Sequence, residues 1–474
     1  MKRGVKRILA VAGVLLIGLA VAVVWFLAQA MPIGTGYVAK YLCSSTFISK
    51  RDPQTVFIED VKPVNPLASV VTWAIDADHQ SVMATAFKVF QSKAVYREGC
   101  GCTLMAGTTE AVLREQTFFK VDANHTPPTH SPALPWPDGS GHAVDPAVLG
   151  VDPDKLKQAL DDAFAEPGPD NPRKTRAVAV VYDGQLVAER YAPGFGPEMP
   201  ILGWSMSKSI TNALVGILVR RGQLALNEPA PVPEWRLPDD PRGKITLDHL
   251  LRMSSGLAFE EVYKPMADAT DMLYGSDDFA AFAAGRSLGS APGETWNYSS
   301  GTANIIARIV RHEAQKQYEN YYGFIREALF DRIGMTSAVM EADPSGTFVG
   351  SSYAFATVRD WARFGLLYLR DGMWNGERVL PDGWVTYTTT PTPKAPRGEY
   401  GALFWLNAGS PDNRGNRLWP HAPVDAYAAQ GFQEQKVIVI PSRKLVLVRF
   451  GATADRSAWD TDAFIAGVIR ALPG

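Results

Sequence analysis

The chain is poor in the residues that build metal and nucleotide sites. Its 474 residues include three cysteines and seven histidines. It contains no His-Glu-x-x-His, no paired Cys-x-x-Cys set and no Gly-rich phosphate loop, so nothing in it calls for zinc or a nucleotide. Cys100 and Cys102 flank Gly101, a spacing too short for the usual zinc pair. An excess of one charge is also lacking. The formal net charge of −2 removes the electrostatic case for nucleic acid. There is no internal repeat and no low-complexity tract. No metal and no cofactor is expected.

Long hydrophobic runs are scarce, with one exception. Lys2, Arg3, Lys6 and Arg7 form a basic start, and Ile8 to Ala30 is uncharged and mostly apolar. Such a run is enough to span a bilayer, and the preceding positive charge favours a cytoplasmic N-terminus. An uncleaved anchor over residues 1–30 is expected, with the body of the protein in the periplasm or extracellular space. Ala28-Gln29-Ala30 is an Ala-x-Ala cleavage signature, so a cleaved signal peptide is the alternative. In that oxidising space Cys43 can pair with Cys100 or with Cys102, leaving one thiol over. Three free thiols are the bland alternative.

What is present begins with a 46% hydrophobic content, ordinary for a chain that buries a core. Residues 31 to about 120 carry short strand-like and helix-like runs and no chemical motif. Thr126 to Gly141 holds Pro127, Pro128, Pro132, Pro135 and Pro137 and reads as a stiff linker. This gives a 31–140 region of unopened role and a 141–474 domain. In the latter, Asp152 to Phe164 reads as a helix. Ala177–Tyr182 and Gln185–Arg190 flank Asp183-Gly184, the signature of a type I′ hairpin. Lys436–Ile440 and Leu445–Phe450 make a second strand pair, and Ala463 to Leu472 a last helix. Strands at both ends of one domain with a helical middle predict an antiparallel sheet closed by distant parts of the chain. In the middle, Thr357 and Asp360 sit like a capping box.

Ser205-Met206-Ser207-Lys208 is the one Ser-x-x-Lys in the chain. It opens a segment whose Met206, Ile210, Ala213, Leu214, Ile217 and Leu218 form one helical stripe, closed by Arg220, Arg221 and Gly222. Residues three apart share a helix face. A buried lysine there can take the serine's proton, and serine needs such a neighbour to become a nucleophile. The structural alternative is a serine cap with a solvated lysine. No Gly-x-Ser-x-Gly elbow surrounds Ser205, which argues against an α/β-hydrolase.

Several ordered blocks accompany this motif. They are Gly203–Ser209, Thr246–Leu257 (TLDHLLRMSSGL), Pro292–Ser299 (PGETWNYS), Leu329–Met335 (LFDRIGM) and Asp360–Gly365 (DWARFG). In this order, from about Val151 to the C-terminus, the chain resembles the serine β-lactamase and DD-peptidase superfamily, near class C β-lactamases. The resemblance implies an α+β, transpeptidase-like fold: an antiparallel sheet flanked by helices, plus an all-helical lobe. It also implies Ser205 as nucleophile, with Lys208 and Tyr298 in the proton relay. The family's Tyr-x-Asn motif is here Tyr298-Ser299-Ser300, with serine in place of asparagine. Tyr318-Glu319-Asn320 matches the letters better but falls in a connector. The third motif, Lys-Thr-Gly or His-x-Gly, is matched by Ala429-Gln430-Gly431-Phe432. This implies an oxyanion hole from the N–H groups of Ser205 and Phe432, with Gln430 and Gly431 beside the substrate.

Ala429 stands where the family carries a cation for a substrate carboxylate. That departure argues against penicillin-like substrates and fits the relatives that act as carboxylesterases or on small linear amides, such as 6-aminohexanoate-dimer hydrolases. The resulting expectation is a serine hydrolase of a small-molecule amide or ester. A penicillin-recognising peptidase or lactamase is one alternative, and a non-hydrolytic binding or sensor protein on the same scaffold is another. His249 and Asp248 read as structural, Asp277-Asp278 as a turn or cap, and Tyr400, Phe404 and Trp405 as core or pocket wall.

Overall fold

The computed structural model describes residues 2–120 and 128–473. Thr126 and Pro127 of the proline-rich stretch lie outside the described residues. The central element is a six-stranded antiparallel sheet. In spatial order it runs Trp405–Leu406, Tyr427–Gly431, Gln435–Ile440, Leu445–Gly451, Thr175–Tyr182 and Gln185–Tyr191. The two ends of the domain therefore meet in its middle, where Leu447 pairs with Val180. Asp183 (φ 47°) and Gly184 (φ 81°) give the type I′ turn its two positive dihedrals.

Side chains alternate across this sheet. Ala177, Ala179 and Val181 face the large core, whereas Val178 and Val180 face a second core. The second core is covered by helices Pro153–Phe164 and Thr461–Ile469. The other face carries helix Val358–Leu369 and, beyond it, the helical lobe. Thr357 caps that helix by accepting from the Asp360 N–H at 3.2 Å. The expected return bond of a capping box is not made. Asp360 instead holds Ser337 and Arg363, and Ser337 Oγ accepts the Thr357 N–H.

The N-terminal helix runs unbroken from Lys2 to Phe47, through Pro32. It is the one helix among the described residues that is long and apolar enough to cross a membrane. Its apolar run stands exposed (Val14 70%, Trp25 58%), but from Ala30 onward it is buried in the protein. Ala30 is thus the first buried turn of a longer element rather than its end. The buried half packs on a four-stranded meander, Val71–Asp76, Ser81–Ala86, Phe90–Arg97 and Gly101–Leu104. A disulfide joins Cys43 to Cys102, leaving Cys100 free and buried. Two buried ionic clusters tie this region to the sheet domain: Lys40 pairs with Glu341, and Asp60 pairs with both Arg51 and Arg176. From Pro128 the proline-rich stretch lies on the body rather than spacing two bodies apart. Arg363 donates to the carbonyls of Pro137 and Gly139, and Arg359 to that of Ser140.

Candidate active site

Ser205 sits in a tight turn, Trp204–Met206, directly before helix Ser207–Arg220. Trp204 has φ 49°, a left-handed conformation unusual for a bulky residue and the kind of local strain that gathers at functional sites. The following helix is buried on every side through Leu218, not only along the expected stripe. Its polar residues are satisfied by their surroundings. Ser209 donates to the Leu403 carbonyl at 2.8 Å, and Asn212 accepts from Tyr368 Oη at 2.6 Å and Trp384 Nε1 at 2.9 Å. Gly222, at φ 70°, closes the helix as expected, with the Gln223 N–H on the Leu218 carbonyl.

Lys208 is 1% exposed. Its Nζ donates to three neutral oxygens: Ser205 Oγ at 3.1 Å, Ser300 Oγ at 3.1 Å and the Ser351 carbonyl at 3.0 Å. The bland picture of a solvated lysine is therefore excluded by burial. Ser300, which replaces the motif's asparagine, thus reaches Lys208 itself. Ser299 caps helix Ser300–Gln315 and so fixes Ser300 at its first turn.

Tyr298 is placed against Lys208 by its ring, whose centroid lies 4.8 Å from Nζ. A tyrosine in the proton relay would accept a hydrogen bond from the ammonium at its phenol oxygen; the ring meets the ammonium instead. Tyr400 and Trp405 hold the ring in place, with centroids 5.8 Å and 5.4 Å away. Of the three aromatic residues singled out in the sequence, Trp405 lines the cavity, and Tyr400 and Phe404 are buried behind it.

Gln430 and Gly431 end strand Tyr427–Gly431 beside Ser205, and Phe432 opens the turn that follows. A side chain at Gly431 would put its Cβ 2.1 Å from the Gly203 carbonyl oxygen, so only glycine permits this approach of the two backbones. The next residue on each segment brings Phe432 to Trp204, rings edge to face at 5.7 Å. Ser205, Tyr298, Gln430, Gly431 and Phe432 all line one cavity of about 820 Å³.

The cavity also holds Glu261, Tyr263, Glu434 and Lys436, none of which the sequence marks as a site residue. Glu261 accepts from the Ser300 N–H and Oγ, both at 2.6 Å, and from Tyr263 Oη at 2.9 Å. Lys436 donates to Gln430 Oε1 at 2.9 Å and pairs with Glu434 at 2.8 Å. Burial pushes the Lys436 ammonium pKa down, with Glu434 opposing. Ala429 is fully buried, so the cation near the third motif comes from the neighbouring strand and is already paired. Glu261 follows the Ser254-Ser255-Gly256-Leu257 block as part of an acidic pair, but no spacing in the sequence ties it to Ser300. Lys436 read simply as a strand residue.

The residues set aside in the sequence take structural places. His249 Nδ1 accepts the Thr246 N–H and the His249 N–H returns to Thr246 Oγ1, a reciprocal cap. Asp248 binds Arg252 and Tyr387, and Asp278 caps helix Phe279–Ala284. Tyr318 lies outside the cavity, donating to Glu327 at 3.2 Å. Among the described residues, no group of three or more His, Cys, Asp or Glu side chains is arranged to hold a metal.

Comparison with known proteins follows this geometry. The beta-lactamase family profile matches residues 160–465. A 6-aminohexanoate-dimer hydrolase of Paenarthrobacter ureafaciens is 25% identical over 288 residues, 53% of this chain and 71% of that protein. The crystal structure of a family VIII carboxylesterase superposes with a TM-score of 0.53 at 15% identity, over 67% of this chain and 97% of that one. A penicillin-binding protein homolog from Caulobacter crescentus gives 0.51 at 16% identity, over 68% and 99%. At these identities the two structures establish the fold.

Proposed function

The chain belongs to the beta-lactamase family of serine hydrolases, and from that premise we propose that it cleaves an amide or ester through an acyl-enzyme on Ser205. The observation that carries this reading is the 3.1 Å contact of Lys208 Nζ with Ser205 Oγ at the floor of an 820 Å³ cavity.

As an ammonium, Lys208 spends all three protons on its three oxygens and cannot take another. One of those oxygens, Ser300 Oγ, itself donates to the Glu261 carboxylate. A proton passed along this line, from Lys208 to Ser300 and from Ser300 to Glu261, leaves Lys208 a neutral amine facing Ser205. Ser205 then gives its proton to Lys208 as it attacks the carbonyl. Tyr298, on the cavity wall, gives its phenol proton to the leaving group and takes in its place, from Lys208, the proton that came from Ser205. The N–H groups of Ser205 and Phe432 hold the developing oxyanion, and the close passage of Gly431 over Gly203 supports that role. Gln430, held by Lys436, positions the substrate. A water then repeats the sequence on the acyl-enzyme.

The linear-amide and ester relatives favour this substrate class over penicillins. So does the pairing of Lys436 with Glu434, which leaves that cation committed. The exposed apolar run of the N-terminal helix supports a membrane anchor. The basic start before it and the Cys43–Cys102 disulfide favour a body outside the cytoplasm. Residues 31–120 then serve as a clamp that sets the hydrolase domain on its anchor.

The test is a panel of nitrophenyl esters, linear amides and nitrocefin, run on the wild type and on Ser205→Ala, with intact-mass detection after fluorophosphonate treatment. Ester turnover with little nitrocefin hydrolysis is expected, and Ser205→Ala loses both turnover and adduct. Nitrocefin as the best substrate would move the assignment to a lactamase. An adduct that survives Ser205→Ala would overturn the nucleophile.

A further inference from the structure

A second cavity, of about 460 Å³, also reaches Ser205. It shares Ser205, Tyr263 and Phe432 with the first, so these three residues stand between the two. Their walls differ in kind. The larger cavity carries Glu261, Glu434, Lys436, Arg456, Asp460 and Asp462. The smaller is walled mostly by apolar side chains: Phe26, Ile33 and Tyr37 of the N-terminal helix, Val64 and Leu67 of the segment beneath it, and Leu273 of helix Asp268–Gly275.

The far end of this groove is what decides its occupant. Phe26 belongs to the apolar run and is 44% exposed, next to Trp25 at 58%. The groove therefore runs from the nucleophile to the part of the helix that has the length and composition to lie in a bilayer. Its walls are fixed rather than adaptable. Gly34 lets the helix close on Leu67, where an added Cβ would meet Leu67 Cβ at 2.9 Å. The disulfide and the Lys40–Glu341 pair hold the next turns. A volume of this size lies within the range of preformed ligand sites, and an apolar channel continuous with lipid suits a hydrocarbon chain.

We propose that the substrate is a membrane-resident lipid ester or amide, with its acyl chain in the groove and its polar head in the larger cavity. This rests on Ser205 as the nucleophile. Ser205 Oγ bonds to the acyl carbon while the bond from that carbon to the head-group oxygen or nitrogen breaks. The head group leaves with the proton that Ser205 gave up through Lys208. Water then adds across the acyl-enzyme ester, releasing the fatty acid and restoring the Ser205 hydroxyl.

The full chain in phosphatidylcholine vesicles, offered nitrophenyl esters from acetate through octanoate to palmitate, tests this. The expected kcat/KM rises roughly threefold per methylene until the chain fills the groove. Ile33→Trp and Val64→Trp, each filling the groove from a different wall, lower the palmitate-to-acetate ratio by roughly tenfold or more. Palmitate ester placed in the enzyme's own vesicles is cleaved faster than the same ester in separate vesicles. An unchanged ratio in both variants, or a preference for acetate, overturns the lipid assignment, as does equal cleavage from separate vesicles, which would make the source soluble. These failures are distinct from failure of the nucleophile. In the former, acetate turns over and fluorophosphonate labels Ser205; in the latter, no ester is cleaved and no adduct forms, and the proposal falls with it.

Discussion

Lys40 and Lys208 are both buried lysines, and their surroundings are opposite. Lys40, at the clamp between the N-terminal helix and the body, meets the Glu341 carboxylate directly and Ser44 Oγ at 3.0 Å. Ser44 and the Cys102 N–H bind the same carboxylate at 2.7 Å each. Lys208 hydrogen-bonds to a carbonyl and two hydroxyls, with the Tyr298 ring beside it, and the Glu261 carboxylate is one hydroxyl away. Burial pushes the Lys40 ammonium pKa down, with Glu341 opposing, but Lys40 lies on neither cavity and has no substrate to serve. A cation ringed by hydroxyls, one of them leading to a carboxylate, has both a route for the proton and a nucleophile to serve. The same side chain fastens two segments in one region and, in the proposed mechanism, serves as a base in the other.

The comparison breaks first at the nucleophile. Lys208→Ala and Ser205→Ala should each reduce ester turnover by about ten-thousandfold, read as kcat/KM on nitrophenyl acetate. If Lys208→Ala retained a tenth of the activity, Lys208 would be no base.

The converse change is Lys40→Met. It leaves Glu341 buried without its cation, at a cost of about 3–5 kcal/mol in chemical denaturation. Turnover per folded molecule should remain, because Lys40 touches neither cavity wall. Adding Glu341→Met should recover most of the loss, since a buried pair replaced by apolar groups is often neutral. No recovery in the double variant would mean that the pair does more than neutralise itself.

How much of this was legible in the sequence differs between the two regions. The approach of Lys208 to Ser205, the hairpin at Asp183-Gly184 and the strand pair that closes the sheet follow from local patterns with fixed spacing, and each could be read directly. The clamp is made by residues hundreds of positions apart, as Lys40 and Glu341 are, so nothing local announces it. The N-terminal helix shows the limit most plainly. Apolar composition is the same signal whether the partner is lipid or protein, so the sequence could not show that the helix continues past Ala30 into the body. Glu261 was missed for a related reason, because the loop that carries it meets Ser300 only through the fold. Tyr298 stands beside Lys208 as its place in the motif suggests, but which part of it faces Lys208 depends on Tyr400 and Trp405, which lie about a hundred residues further along the chain.

Asp343 extends the comparison to a buried acid. It is 2% exposed and, like Lys208, has neutral partners: the N–H groups of Phe279 and Thr347 and the Ser345 hydroxyl. Burial, with Asp278 adding to it, pushes its carboxyl up to about 7 against those hydrogen bonds. In the unfolded chain the same group titrates near 3.8. Between these values the folded state holds a proton that the unfolded state has lost. The stability it contributes is complete below the lower value and disappears as pH rises through the upper one. Unfolding free energy should fall by about 2 kcal/mol from pH 5 to pH 7, and Asp343→Asn should flatten that slope. An unchanged slope in Asp343→Asn would assign the titration to another group.

The smallest effect tests the feature that separates the two lysines, the carboxylate one hydroxyl removed. Glu261→Gln keeps the size, and its Oε1 can still accept from the Ser300 and Tyr263 hydroxyls, but it loses the bond from the Ser300 N–H and cannot take the proton that Lys208 must shed. Turnover on nitrophenyl acetate should fall by roughly tenfold, at the low end for a group that assists proton transfer. The loss should lie in kcat rather than KM, because the substrate does not need Glu261 for binding. A merely structural Glu261 would leave the solvent isotope effect on kcat in place and lower activity through the folded fraction alone. A relay through Ser300 predicts instead that this isotope effect changes in Glu261→Gln, because a different proton transfer then frees Lys208. Ser300→Ala interrupts the same line one atom earlier and should change it in the same direction. If the two variants changed it oppositely, the route from Lys208 to Glu261 would not be the one in use.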